Sequence, residues 1–540
     1  MNVSMESHCL PFSKIPHTTK LFFTFAENFD KVAGYYGEPP TVAGVLAAAR
    51  KIELAEKIRR EVVEILREQN EAFGMGPDIV RNLERLAKGA AAIVTGQQVG
   101  LFGGPAYSLY KAISAVRYAE EITKAGVDSV PIFWLATEDH DFAEINQVAW
   151  NSKQGLAEFE LGERESDAGR RVGEIKLGAP VTALVAKAVG SLEGSFGKEI
   201  AQALRESYTR EETYGSAFGK LMARLMAGRG IIFLDPLDPR FHRLCVGVYR
   251  RALDEAEALR ASLIARAKEL DKAGYHAQVK VTGESTLLFY NVDGRRQPLR
   301  MRNGKFAAGR ASFTLAESQA AIEKTPELFT PNVLLRPIVQ DTLLPTAAYI
   351  GGAAEIAYMA QGQVLYDRLL GRMPAILPRA GFTIVEPLVA RLLAKFGLEI
   401  NDVFRGHQHL RARMEQKALP RALASRFDAG EKKLRKLLKS YQAPLTRLDR
   451  TLVGALDSAE RKMLHQFAKL KGKAGRAENL RIGVLDRYEQ ILLDSLYPHR
   501  GLQERTLSTL PWLAEYGLSF VDNLSRQASI ESRQHHIVYL

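Results

Sequence analysis

The chain has 540 residues, 46% of them hydrophobic and 25% charged. That is the composition of a folded globular protein with room for more than one domain, and it excludes disordered and collagen-like classes. Two cysteines, Cys9 and Cys245, are too few for a disulfide framework or a multi-thiolate metal site. No apolar run approaches the ~20 residues of a membrane helix. His8, Pro11, Lys14 and Pro16 interrupt the start, where a secretory signal would be continuously apolar. A reducing cytoplasm is the expected compartment, and no membrane the expected partner. The net charge of +12 is uneven: Arg405–Arg476 holds 19 basic and 6 acidic residues, which leaves the remainder close to neutral. Such a segment suits a nucleic-acid or anionic surface. It equally suits the solvated face of long helices, the preferred reading here, so nucleic acid is not the expected partner.

In chain order, Ala91–Val94 reads as a short buried strand, followed by a glycine-rich turn and a helix over about Ala106–Lys124. Val130–Leu135, Ile231–Leu234, Val333–Ile338 and Ala375–Leu377 read as further buried strands. Continuously apolar strands alternating with helices predict an α/β domain around a parallel sheet covered on both faces. Residues 1–386 are assigned to this core, with inserts at about 151–230 and 282–330. Asp293-Gly294 and Asn303-Gly304 are hairpin-turn pairs, so the second insert is expected to hold a small antiparallel unit. Leu434, Leu438, Tyr441, Leu445, Leu448, Leu452 and Leu456 then recur at coiled-coil spacing, extended by Met463, Phe467 and Leu470. Pro444 lies inside this seam, so a helical hairpin and one long kinked helix both fit. Residues 387–480 are read as a coiled-coil dimerisation region. Residues 481–540 are read as a helical tail returning to the core, with Trp512, Tyr516 and Phe520 on one helix face.

Four clusters carry candidate chemistry. The first is Thr95-Gly96-Gln97-Gln98 leading through Gly100, Gly103 and Gly104 to Lys111. Glycines at the carboxyl end of a strand, before a helix N-terminus, suit an anion such as phosphate. The spacing matches neither G-x-x-x-x-G-K-[ST] nor G-x-G-x-x-G. The second is Thr137-Glu138-Asp139-His140-Asp141, three carboxylates around one imidazole. It reads as a proton-transfer centre with His140 as base and Asp139 and Asp141 as orienters, or as a Mg2+ site. In the third, Gly274–Val279, His276 and Gln278 share one face of an extended segment. In the fourth, Arg336, Gln340 and Asp341 end an apolar strand, and Gly351-Gly352 opens a helix bearing Glu355 and Tyr358. Arg336 suits a substrate carboxylate; the alternative is an internal ion pair with Asp341 or Glu355.

Five stretches, TGQQVGLFGGPAYSLYKAI, VPIFWLATEDHDFAEIN, GYHAQV, PNVLLRPIVQDTLLPTAAYIGGAAEIAYMAQ and YPHRGLQERTL, resemble the bacillithiol biosynthesis cysteine-adding enzyme family. The resemblance runs over nearly the whole chain. It implies a Rossmann-like core, a coiled coil that makes a homodimer, and a cytoplasmic ligase joining L-cysteine to the amine of glucosaminyl-malate. It also implies ATP or ADP as nucleotide. Thr95, Gly96, Gly103 and Gly104 are the candidate nucleotide contacts in the core. The family's nucleotide-associated stretch falls on Tyr497, Arg500, Gln503 and Arg505. Gln97, Gln98, His276, Gln278, Arg336, Gln340, Glu355 and Tyr358 are the candidate substrate contacts. The adenylation patterns H-x-G-H and K-M-S-K-S have no clear match. Another nucleotide-dependent transferase and a non-enzymatic basic scaffold that binds nucleic acid are the competing readings.

Overall fold

The computed structural model describes residues 6–417, 421–482 and 484–540. Its centre is a five-stranded sheet of β1 (Ala91–Gln97), β2 (Ser129–Leu135), β3 (Ile232–Leu234), β4 (Thr346–Gly351) and β5 (Ala375–Pro378). The spatial order is β5-β4-β1-β2-β3, and every pairing is parallel. β2 is buried throughout and β1 along all but its last residue, which explains why both are apolar without alternation. The chain steps from β1 to β2 to β3 in one direction. It then returns to place β4 on the other side of β1, so the order reverses between β1 and β4. Connections leaving such a pair diverge to opposite faces and open a crevice at the strand carboxyl ends. There β1 gives way to α1 (Tyr107–Lys124), and β4 to α3 (Ala353–Leu369).

The stretch Val333–Ile338 is not a strand. Asn332 Oδ1 accepts from the backbone N–H groups of Leu334 and Leu335, 3.0 Å each, and α2 (Arg336–Leu343) follows with Pro337 in its first turn. Proline fits there because its missing N–H is not needed. A short buried apolar run does not by itself distinguish strand from helix. The strand that fills this place in the sheet is β4, whose Thr-Ala-Ala-Tyr-Ile-Gly sequence is less apolar than the run before it.

The first insert begins with a hairpin, Gln147–Ser152 against Gly155–Glu160, and continues into helices. The second holds the expected antiparallel sheet, with Ser285–Val292, Arg295–Arg302, Lys305–Ala308 and Ala311–Phe313 in succession. Its turns have positive φ at Asp293, Gly294, Asn303 and Gly304, as two-residue hairpin loops require.

The chain divides into two compact units. One comprises residues 7–383 with 504–537 and contains the sheet. Its C-terminal segment is two short helices, Leu510–Tyr516 and Ser519–Gln527, since Gly517 ends the first; Trp512 and Phe520 still meet, at 6.0 Å between rings. The other comprises residues 384–503 with the extreme ends. It carries α4 (Arg421–Leu448) and α5 (Leu452–Ile482) as a helical hairpin, stitched by Phe427 against Phe467 and by Lys471 to Asp428 at 2.7 Å. Pro444 lies inside α4 without ending it. The reversal comes later, where Asp449 accepts from both the backbone and the hydroxyl of Thr451.

Candidate functional site

A cavity of about 930 Å3 opens where β1, β2 and β4 end. The second insert supplies part of its wall through residues 285–300. Of the candidate residues, Gly96, Gln97, Gln98, Asp139, His140, Gln278, Arg336, Glu355, Tyr358 and Arg505 line it. Lys111, Glu138, Arg296 and Arg379 line it too: the sequence places the first two in candidate clusters without a role of their own and does not single out the other two.

The two strand ends are tied together by charge. Lys111 on α1 is buried, donates to Gly96 O at 2.6 Å and Gln97 Oε1 at 2.8 Å, and forms an ion pair with Glu355 on α3. Glu355 also accepts from Tyr349 OH at 2.6 Å and from the Gly352 N–H at 2.8 Å. Burial disfavours the ionised carboxyl, but Lys111 and these donors outweigh it and hold Glu355 below the usual range. Gly351 must be glycine: a Cβ there would come within 2.9 Å of Glu355 Cβ.

Arg336, at the start of α2, donates to Gln340 Oε1 (3.0 Å), Tyr349 OH (3.1 Å) and Tyr358 OH (3.2 Å). Among the described residues no carboxylate lies within ion-pair distance of it, and Glu355 acts on it only through its longer-range charge. It presents a positive guanidinium, oriented by neutral partners, to the cavity. Gln340 is fully buried and positions Arg336 without lining the cavity. Arg379 is paired twice with Glu504 and, like Arg505, lies over the Tyr107 ring.

Across the cavity, Asp139 accepts from Gln98 Nε2 at 2.9 Å and the His140 N–H at 2.7 Å, with Arg296 at 3.7 Å. Burial alone would raise Asp139, but these donors hold it well below the usual carboxylate range. His140 Nδ1 lies between Arg296 Nη1 at 3.1 Å and Asp139 Oδ1 at 3.4 Å, so it faces a donor on one side and an acceptor on the other. Asp141 is exposed and does not line the cavity. With Asp139 engaged and Asp141 outside, this cluster does not fit a Mg2+ ion, and no group of three metal-ligating side chains occurs among the described residues.

Other expectations are corrected. The glycine loop is no anion cradle: the Gly103 N–H donates to Tyr208 OH, that of Gly104 to Leu101 O, and neither residue lines the cavity. Phe102 anchors the loop among Trp150, Phe159 and Tyr208. Thr95 is buried and bonds Ile350 O, joining β1 to β4. His276 is exposed, in a segment without regular structure, and outside the cavity wall. The tail stretch expected to meet a nucleotide is a different case: Tyr497, Arg500 and Gln503 belong to the other unit and are not part of this cavity's lining, and there the Gln503 amide is spent on Ile384 and Ser495.

Two family models cover the chain: the N-terminal Rossmann-like domain of bacillithiol biosynthesis BshC over residues 5–380, and its C-terminal coiled-coil domain over 382–540. Relatives named "Putative cysteine ligase BshC" are similar along its length. One from Koribacter versatilis is 40% identical across 96% of this chain and 97% of its own, and one from Solibacter usitatus is 37% identical across 99% and 100%. A third, from Chlorobaculum tepidum, is 33% identical across 90% and 89%. The parallel sheet, the helical hairpin and this likeness together establish that the chain belongs to the bacillithiol biosynthesis BshC family.

Proposed function

We propose that the cavity joins the carboxyl of L-cysteine to the amine of glucosaminyl-malate with ATP as activating agent, in the cytoplasm. The observation that carries this reading is Arg336: a guanidinium with no carboxylate in direct contact among the described residues, held by two tyrosines and a buried glutamine at the sheet's switch point. Such a fork binds a substrate carboxylate bidentately. Amide formation from a carboxylate is uphill in water, so the carboxylate must first become an acyl phosphate or adenylate. Arg505, exposed in the cavity lining and set over the Tyr107 ring, is a cation suited to its phosphates. Lys111 and Arg379 are already neutralised by Glu355 and Glu504, and fix the cavity shape. The second unit serves assembly: Leu437, Tyr441, Leu448, Met463 and Leu470 are exposed on the α4–α5 hairpin, and a second copy is the occupant proposed for them.

The test supplies purified protein with ATP, L-cysteine and glucosaminyl-malate and follows product by mass spectrometry and nucleotide by chromatography. Amide product with stoichiometric AMP or ADP is expected. No product, with no cysteine-dependent nucleotide cleavage, overturns the reading. Ultracentrifugation of wild type and of Tyr441→Glu/Leu448→Glu tests the dimer, which the double substitution is expected to split.

A further inference from the structure

We propose that Glu138 is the catalytic residue that takes the proton from the attacking amine, through a carboxylate placed between the main cavity and a one-water chamber shared with His242. This rests on the ligase reading above.

The geometry is specific. Thr137 is fixed by its hydroxyl bond to Asp235 at 2.5 Å, and the next side chain, Glu138, is 8% exposed yet lines the cavity. It also lines a second cavity of about 10 Å3, between Trp134, His242, Cys245 and Tyr249. That volume holds about one water. Glu138 Oε1 lies 3.5 Å from His242 Nε2, and neither atom has a hydrogen-bond partner among the described residues. A buried polar pair left open on both sides of a water-sized space is costly unless that space is used. Tyr249 OH sits 3.0 Å from His242 Nδ1 and fixes the ring from behind.

The charges facing Glu138 agree with this role. Burial raises its carboxyl to about 7, aided by Asp235 and opposed by Arg296, Arg171 and Arg336. His242 is pushed down to about 4 by burial and Arg171, against the Pro236 and Phe329 carbonyls, and stays neutral. Cys245 and Tyr249 are raised by burial and stay neutral as well. A base poised near neutrality is what deprotonation of an amine requires. Asp139 is held too acidic for this role.

In the step, the amine lone pair forms the C–N bond to the activated acyl carbon. The bond from that carbon to the phosphate oxygen breaks, and the phosphate leaves with the electron pair. The nitrogen proton moves to the Glu138 carboxylate and is then released to water.

The experiment compares full-length wild type, Glu138→Gln and Glu138→Asp. Gln is expected to lower kcat for amide formation 10²–10³-fold. KM values should stay within about threefold, cysteine-dependent nucleotide cleavage should be retained, and Asp should restore part of the rate. A Gln variant with kcat within threefold of wild type, or one that loses nucleotide cleavage equally, overturns the proposal. Infrared difference spectra of wild type against Glu138→Gln read the group without turnover. A carboxyl band titrating near neutrality, displaced by His242→Phe, is expected, and its absence overturns the proposal. Wild type that cleaves nucleotide with cysteine but acylates no amine overturns the ligase reading, and with it the amine as proton donor, while the band still reports Glu138.

Discussion

Two strand-to-helix junctions flank the switch point, both rich in glycine, and they use it differently. After β1, Gly100, Gly103 and Gly104 fold a loop back on itself around Phe102, and its N–H groups go to Tyr208 and Leu101. After β4, Gly351 and Gly352 bring the backbone against Glu355, which accepts the Gly352 N–H and reaches across to Lys111. The N–H groups of Gly103, Gly104 and Gly352 are thus all taken by the protein itself. Charge in the cavity is carried by side chains, and one buried ion pair joins the two halves. A glycine-rich turn thus signals close approach, and only the partners show whether a ligand or the protein itself fills the space.

Breaking the strut tests this most sharply. Lys111→Met should leave Glu355 buried without its cation and cost about 3–5 kcal/mol in urea unfolding. Lys111→Met/Glu355→Leu should recover much of that loss. A single mutant as stable as wild type would show that the pair does not join the junctions.

Glu138→Gln should move stability the other way. The folded carboxyl sits near 7 against an ordinary 4.5, so its cost is absent below 4.5, grows as pH rises to about 7, and stays constant above. The variant should gain up to about 3 kcal/mol over wild type at pH 8 and little at pH 4. Melting curves across that window check it; a gap independent of pH contradicts it.

Arg336→Lys keeps the charge but loses the fork. Under the proposed function, kcat/KM should fall about 100-fold, near 2.7 kcal/mol, mostly through KM for a carboxylate substrate. Gly103→Ala probes the self-packed loop, where φ is 85°; about 1–2 kcal/mol of stability should be lost, with KM for nucleotide unchanged. A selective rise in that KM would restore the loop as a phosphate contact.

The parts of the fold that were legible in the sequence are those decided locally. β1, β2 and β3 are buried apolar runs, and the turns at Asp293-Gly294 and Asn303-Gly304 need residues that tolerate positive φ. Val333–Ile338 was misread because apolarity alone does not choose between strand and helix, whereas Asn332 and Pro337 do. Arg336 was found because an arginine amid apolar residues is conspicuous. Arg379 was not, and Glu138 stood out only as one of three clustered carboxylates, because their meaning lies in distant partners: Glu504 for the first, His242 and the chamber for the second. Gln503 looked like a ligand contact until its amide proved committed to Ile384 and Ser495.

The pairing of Arg379 with Glu504 makes one wall of the cavity depend on a segment far along the chain. Both ends of this ion pair are deeply buried, at 10% and 4% side-chain exposure, and 125 residues of chain separate them. A chain ending before residue 504 would lack both this carboxylate and the Arg505 side chain of the cavity lining, leaving Arg379 with only the more distant charge of Glu355.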